Sequence, residues 1–223
     1  MAKVAVILSG CGYLDGAEIR ESVISLLALD REGAEVTIFA PDIPQKDVVN
    51  HLSGEPMNES RNVLLEAARI ARGQISDLSD AKADDFDALI IPGGFGVAKN
   101  LSNLAEKGGD ATILPEFKRL ISAFIEQKKP IGAICISPAV LVAAIKDDLK
   151  IKVTIGSDAD GLIASMGSEN ENCKAEESCY DEENNIASCP AYMLDAPIGK
   201  IADGIEKLVK QVVHKATEGK KAA

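Results

Sequence analysis

Pro130-Ile131-Gly132-Ala133-Ile134-Cys135-Ile136-Ser137-Pro138-Ala139-Val140-Leu141-Val142-Ala143-Ala144-Ile145 passes from a short apolar run into an apolar helical one with almost nothing between them. Ile131 to Ile134 reads as a strand introduced by Pro130. Pro138 suits the first turn of a helix, where its missing N–H is not needed. The helix it opens is apolar on every side as far as Ile145, so all its faces should be buried. Cys135 falls at the turn between strand and helix.

The same alternation extends in both directions. Val4 to Leu8 is a continuous apolar run bounded by glycine, as expected of a strand covered on both faces. Ile19, Val23, Leu26 and Leu27 fall at i, i+4, i+7 and i+8, one face of a helix that Gly33 ends, and Glu35 to Ala40 is the next strand. Asp42 to Met57 reads as an irregular excursion. Val63, Leu64, Ala67, Ala68 and Ala71 mark a helix, Ala88 to Ile91 a strand, and Phe117, Leu120, Ile121, Phe124 and Ile125 a further helix. After the central segment come a strand at Ile151 to Ile155, an acidic exposed loop or hairpin over Glu169 to Asn185, and a strand at Ile186 to Cys189. The last helix carries Ile198, Ile201, Ile205, Leu208, Val209 and Val212, and Lys215 to Ala223 reads as a flexible tail. Alternating β and α elements predict an α/β fold, a mostly parallel sheet with helices on both faces. No repeat or linker divides the chain, so residues 1–223 form one domain.

The 223 residues carry 35 acidic and 24 basic side chains, a net charge of −11. That balance argues against nucleic acid and against anionic membrane surfaces as partners. The longest apolar run, Ala139 to Ile145, is far short of the roughly 20 residues of a membrane span. Ser9-Gly10-Cys11-Gly12 cuts off the first apolar run before it reaches the length of a signal segment, and a cytoplasmic location is expected. The chain has five cysteines and two histidines and no Cys-x-x-Cys pair, so neither a metal site nor a disulfide framework is expected.

In open α/β sheets ligands sit beyond the carboxyl ends of the strands. Three segments end strands there in unusual ways. At Cys135, Ala133 and Ser137 keep the neighbouring positions small, as a tight strand–nucleophile–helix turn requires. A thiol at a helix N-terminus has its ionised form favoured, which lowers its pKa. The same spacing also fits a small apolar residue buried at the sheet edge, and both readings stand. In Pro92-Gly93-Gly94-Phe95-Gly96, Gly93 and Gly94 allow the backbone close to a ligand, and N–H groups there, with that of Ile136, could form an oxyanion hole. Taken alone, the segment reads first as a plain strand-ending turn. In Ser9 to Glu18, Glu18 falls in the first turn of a helix. There it either answers the helix dipole or serves as a general acid/base toward Cys135. Cys11 lies on the same edge as a second thiol or a packing residue, and His51, in the irregular excursion, is a pocket or solvated histidine.

Taken together, these segments resemble the ThiJ/PfpI superfamily, whose fold is related to class I glutamine amidotransferases, and within it the ElbB/ES1 branch. The match is carried by Val6 to Gly12, Asp15-Gly16-Ala17-Glu18, Asn50-His51-Leu52-Ser53-Gly54-Glu55, Ser60 with Arg61-Asn62-Val63-Leu64, Pro92 to Asn103, and Pro190-Ala191-Tyr192-Met193-Leu194. The resemblance implies a flavodoxin-like three-layer α/β sandwich and a homodimer. It implies Cys135 as nucleophile, Glu18 as its carboxylate partner, and the N–H groups of Gly94 and Ile136 as oxyanion donors, with Gly93, Cys11 and His51 lining the pocket. It further suggests glyoxalase-type chemistry on a small aldehyde or dicarbonyl such as glyoxal or methylglyoxal, without cofactor or metal. The branch is associated by name with isoprenoid biosynthesis.

One departure bears on activity. Many superfamily members place a histidine directly after the nucleophilic cysteine, or after the following strand. Here those positions read Ile136 and Thr154-Ile155-Gly156-Ser157. The departure implies slow turnover and argues against amidotransferase activity. Two alternatives to catalysis remain: a redox-sensing or regulatory protein with an oxidisable Cys135, or a partner-binding member of the superfamily.

Overall fold

Alternation along each strand sends neighbouring side chains to opposite faces. In β1 (Lys3–Ile7), Val4 and Val6 point to one side while Ala5 and Ile7 point to the other, and all four are fully buried. β4 (Ala88–Ile91) does the same, with Ala88 and Ile90 on one face and Leu89 and Ile91 on the other. A sheet apolar on both faces must be covered twice, and it is. One face carries α1 (Ile19–Arg31), α2 (Val63–Ile70) and α8 (Ile198–Ala222). The other carries α3 (Phe95–Lys99), α5 (Pro115–Glu126), α6 (Ser137–Ile145) and α7 (Leu162–Ser165), with α4 (Leu104–Lys107) beside them. This computed structural model describes residues 1–222, with side chains through residue 219.

The sheet has seven strands in the order β3-β2-β1-β4-β5-β9-β8, where β2 is Glu35–Ala40, β3 Ser76–Asp77, β5 Ile131–Ile134, β8 Cys179–Asp181 and β9 Ile186–Cys189. All neighbours pair in parallel except β8, which returns antiparallel to β9 at the edge. The expected mostly parallel, flavodoxin-like three-layer sandwich is therefore present. Its topology changes direction beside β1 and β4, where the carboxyl ends of central strands leave room for a site. Every residue of α6 is buried, as its composition predicts. Each of its fully enclosed Leu, Val or Ile side chains contributes roughly 1.5–3 kcal/mol relative to exposure.

Three expectations are corrected. First, α1 is turned from the face its apolar residues suggest: Ile19, Val23 and Leu27 are 45%, 49% and 44% exposed, Leu26 is half-buried against the core, and the buried side is Glu21, Ser22, Ser25, Ala28 and Leu29. Small residues let α1 approach α8. The hydroxyls of Ser22 and Ser25 can be buried because they donate back to Glu18 O at 2.6 Å and Glu21 O at 2.7 Å. Second, the strand expected at Ile151 to Ile155 shrinks to β6 (Lys152–Val153) and pairs only with β7 (Glu169–Asn170), outside the main sheet. Side chains take its backbone donors instead: Lys152 N–H bonds Asp181, Thr154 N–H bonds Ser188 Oγ, and Ile155 N–H bonds Asn170. Third, the segment from Lys215, read from sequence as an irregular tail, is helical. Helix α8 continues through it to Ala222, with Ala216 buried, and only residue 223 lies outside the described residues.

Candidate active site

The chain leaves β5 at Ile134 and enters α6 at Ser137, so Cys135 must reverse direction within a residue or two. It does so at φ +64°, a left-handed conformation that a residue with a Cβ adopts only at some cost. Backbone conformations of this kind cost about 1–3 kcal/mol and cluster at functional sites. Surrounding bonds fix the turn. Cys135 N–H donates to Cys189 O at 2.9 Å, and Ser137 Oγ donates to Pro92 O at 2.9 Å, tying the elbow to both neighbouring strand ends.

Gly93 and Gly94 bring a second loop against the elbow. A Cβ on Gly93 would lie 2.4 Å from Cys135 Cβ and 2.7 Å from Glu21 Oε2. Gly94, at φ +99°, leaves no space for one either, since it would meet Glu18 N and Gly16 O at 2.4 Å. The N–H groups of Gly94 and of Ile136 both donate to the Cys135 sulfur.

The carboxylate beside that sulfur is Glu21. It is fully buried and hydrogen-bonded to the Cys135 thiol. Its Oε2 accepts Gly93 N–H at 2.9 Å and its Oε1 accepts Tyr192 N–H at 3.2 Å. Burial, then the charge of Glu18, pushes its carboxyl up to about 8 against the partial relief of these donors. The acid is thus largely protonated at neutral pH. Glu18, the residue the motif reading assigns as partner, is instead the N-cap of α1, its Oε2 accepting Glu21 N–H at 2.6 Å. Burial raises its carboxyl too. The two glutamates lie one helical turn apart, and only the second points inward.

The expectation of a lowered thiol pKa also fails. Burial, then the charge of Glu21, pushes the Cys135 thiol well up, and the two backbone donors recover only part of that. Of the remaining predicted pocket residues, the Cys11 thiol is raised by burial and then by Glu66, and its other charged neighbours are Arg69, Asp15 and Arg61. His51 holds the first loop: its Nε2 accepts Leu14 N–H at 3.3 Å and its ring stands edge-on to Tyr13, with centroids 5.5 Å apart. Tyr192, inside the Pro190-to-Leu194 motif but not singled out from sequence, supplies a donor to Glu21. Among the described residues, no cluster of three or more His, Cys, Asp or Glu side chains could hold a metal ion, and no helix is long and apolar enough to cross a membrane.

A parallel α/β sandwich with a cysteine on a strand-to-helix elbow, facing a glycine loop and a buried glutamate, defines a class of cysteine-centred α/β proteins. The chain belongs to the DJ-1/PfpI family, whose model matches residues 3–189. It is 42% identical over 96% of its length to the ES1 protein homolog, mitochondrial, of Rattus norvegicus, covering 84% of that protein. It is 41% identical to the human glutamine amidotransferase-like class 1 domain-containing protein 3, mitochondrial, covering 96% of this chain and 83% of that one. Among solved structures, an isoprenoid biosynthesis protein with amidotransferase-like domain from Ehrlichia chaffeensis superposes with a TM-score of 0.93 at 47% identity, over 96% of this chain and 99% of that one.

These relatives overturn the cytoplasmic expectation, since both curated proteins are named as mitochondrial. The apolar run near Met1 forms β1, the first strand of the folded domain.

Proposed function

We propose that the chain is a cofactor-free, glyoxalase-like enzyme acting on small dicarbonyls, with Cys135 as nucleophile and Glu21 as acid/base. The observation that carries this reading is the buried Glu21 carboxyl hydrogen-bonded to the thiol of a strained elbow cysteine. The Cys135 thiolate adds to the aldehyde carbon of methylglyoxal while the neutral Glu21 carboxyl gives its proton to the new alkoxide, so that a hemithioacetal forms and Glu21 is left ionised. The Glu21 carboxylate removes the hydrogen from that carbon to give an enediol and returns the proton to the neighbouring carbon, while the hydroxyl proton moves from the first oxygen to the second, leaving a thioester of lactate and an ionised Glu21. Water then releases lactate and restores the thiol, so the net change is addition of one water. A carboxyl titrating near 8 can both accept and return a proton at neutral pH. The N–H groups of Gly94 and Ile136 meet the charge that develops beside the sulfur. A thiol held this far above its ordinary value keeps little thiolate at neutral pH, which fits slow turnover.

Lactate release from methylglyoxal, measured with a stereospecific dehydrogenase, tests the reading. Cys135→Ala is expected to abolish it, and equal rates for the variant and the parent would sink the proposal.

A homodimer is part of the same proposal. The exposed stripe of Ile19, Val23 and Leu27 along α1 supports it, because three apolar residues on successive turns form a patch that water disfavours. Val23→Glu should shift the mass measured by light scattering from twice that of one chain to that of one chain. A parent chain already of single mass would remove the dimer from the proposal.

A further inference from the structure

The established bonds around Glu21 leave one exposed pair unexplained. Arg20, next to Glu21 on α1, points away from the core. Its Nη1 donates to the Tyr192 hydroxyl at 3.1 Å, and its guanidinium lies 5.8 Å from the centre of the Tyr192 ring. Arginine stacks on an aromatic face and donates at the same time, which a lysine does poorly. The backbone of that tyrosine donates to Glu21 Oε1 at 3.2 Å. Tyr192 sits in a single 3₁₀ turn, Ala191–Met193, directly after β9, and Ala191 is itself at φ +42°. A turn this short and strained needs an outside hold to keep one N–H aimed inward.

We infer that Arg20 and Tyr192 form a positioning clamp: by pinning the Ala191–Met193 turn to α1, they keep the Tyr192 N–H on Glu21 and decide whether Glu21 or Cys135 gives up its proton first. The inference rests on Cys135 and Glu21 being the working pair. The groups that face Glu21 are Cys135 from the elbow, Glu18 from the start of its own helix and Cys189 from the end of β9. Arg20 offsets the charge of Glu18. Of the groups around Glu21, the Tyr192 N–H is the one that a surface contact controls.

The sign follows from the shared proton. While both groups are protonated, the reactive form, thiolate beside neutral carboxyl, grows about tenfold per pH unit. Once the pair has lost one proton, chiefly from Glu21 near 8, that form stops growing and reactivity levels off. Loss of the Tyr192 donor destabilises ionised Glu21, so levelling begins at higher pH and higher reactivity.

The test is the pH profile of Cys135 alkylation by iodoacetamide, read by peptide mass spectrometry on the full chain. Arg20→Ala should leave the rate at about pH 7 within twofold of the parent and raise it about three- to tenfold at about pH 9, because Glu21 then keeps its proton to higher pH. Tyr192→Phe, which keeps the ring and backbone but not the hydroxyl, should move the profile the same way by less. Arg20 is exposed, and Tyr192→Phe keeps the half-buried ring in place, so neither change threatens folding. Superimposable profiles, or a rate changed by the same factor at every pH, would overturn the clamp. Because the readout is alkylation and not lactate, its failure is separate from failure of the glyoxalase reading.

Discussion

Glu21→Ala is expected to lower lactate formation by about 10²–10⁴-fold, the usual contribution of a positioned acid–base group. Glu18→Ala should leave the reaction standing and cost about 1 kcal/mol of stability, the usual worth of a helix cap. The contrast follows from where the carboxylates point. Glu21 is enclosed by Gly93, Tyr192 and the Cys135 thiol, while Glu18 closes the first turn of α1. Removing Glu18 also removes a negative charge that raises Glu21, so levelling of the alkylation profile should move to lower pH, opposite in sign to Arg20→Ala. Steady-state kinetics of the two variants side by side give the answer. A Glu18→Ala enzyme as impaired as Glu21→Ala would return the role to the first glutamate.

Glu21 also sets a pH dependence of stability. Its folded value of about 8 lies above the ordinary 4.5, so the unfolded chain releases this proton first. Stability from this group is complete below about 4.5 and is lost as pH rises through 8. A thermal scan of Glu21→Gln across that window should decline less than the parent.

The placing of Glu18 at the cap rather than beside the sulfur has the same origin as the misread face of α1. Hydrophobic spacing finds the face of a helix that water disfavours, and on α1 that stripe is Ile19, Val23 and Leu27, which this fold leaves outside. The inward face is polar because it carries Glu21 toward the elbow and uses two serines to pass close to α8. A run of Glu21, Ser22, Ser25 and Ala28 was the available sign, since small residues at that spacing permit close helix packing. The elbow itself was legible because its requirements are local: a strand, small neighbours at Ala133 and Ser137, and a proline in the first turn. The failed strand at Ile151 to Ile155 was not, because its fate depends on Asp181, Ser188 and Asn170 taking its donors from distant parts of the chain. The thiol's value failed similarly. A helix N-terminus does donate to Cys135, but the desolvation and the neighbouring carboxylate that outweigh it come from tertiary packing.

Gly93→Ala is the strongest single test of whether this packing is the chemistry. The added carbon would lie 2.4 Å from Cys135 Cβ, 2.7 Å from Glu21 Oε2 and 2.9 Å from Ile134 O. Two of these are a Cβ and a strand carbonyl, not the ends of flexible side chains, so backbone must move. Overpacking of this kind costs typically about 1–3 kcal/mol. For a chain this long that corresponds to a fall in Tm of about 2–12 °C. Gly199→Ala, with open space at its Cβ position in α8, should cost nothing and gain up to about 1 kcal/mol. The informative quantity is activity in the Gly93→Ala protein that remains folded. Cys135 and Glu21 are both still present, so simple loss of a group cannot explain a deficit. A wedge between them lengthens the bond through which the proton must pass, and lactate formation should fall by about two orders of magnitude or more, as expected when reacting groups are displaced by about 1 Å. Full activity in that folded protein would mean that the reaction does not run through the Cys135–Glu21 contact.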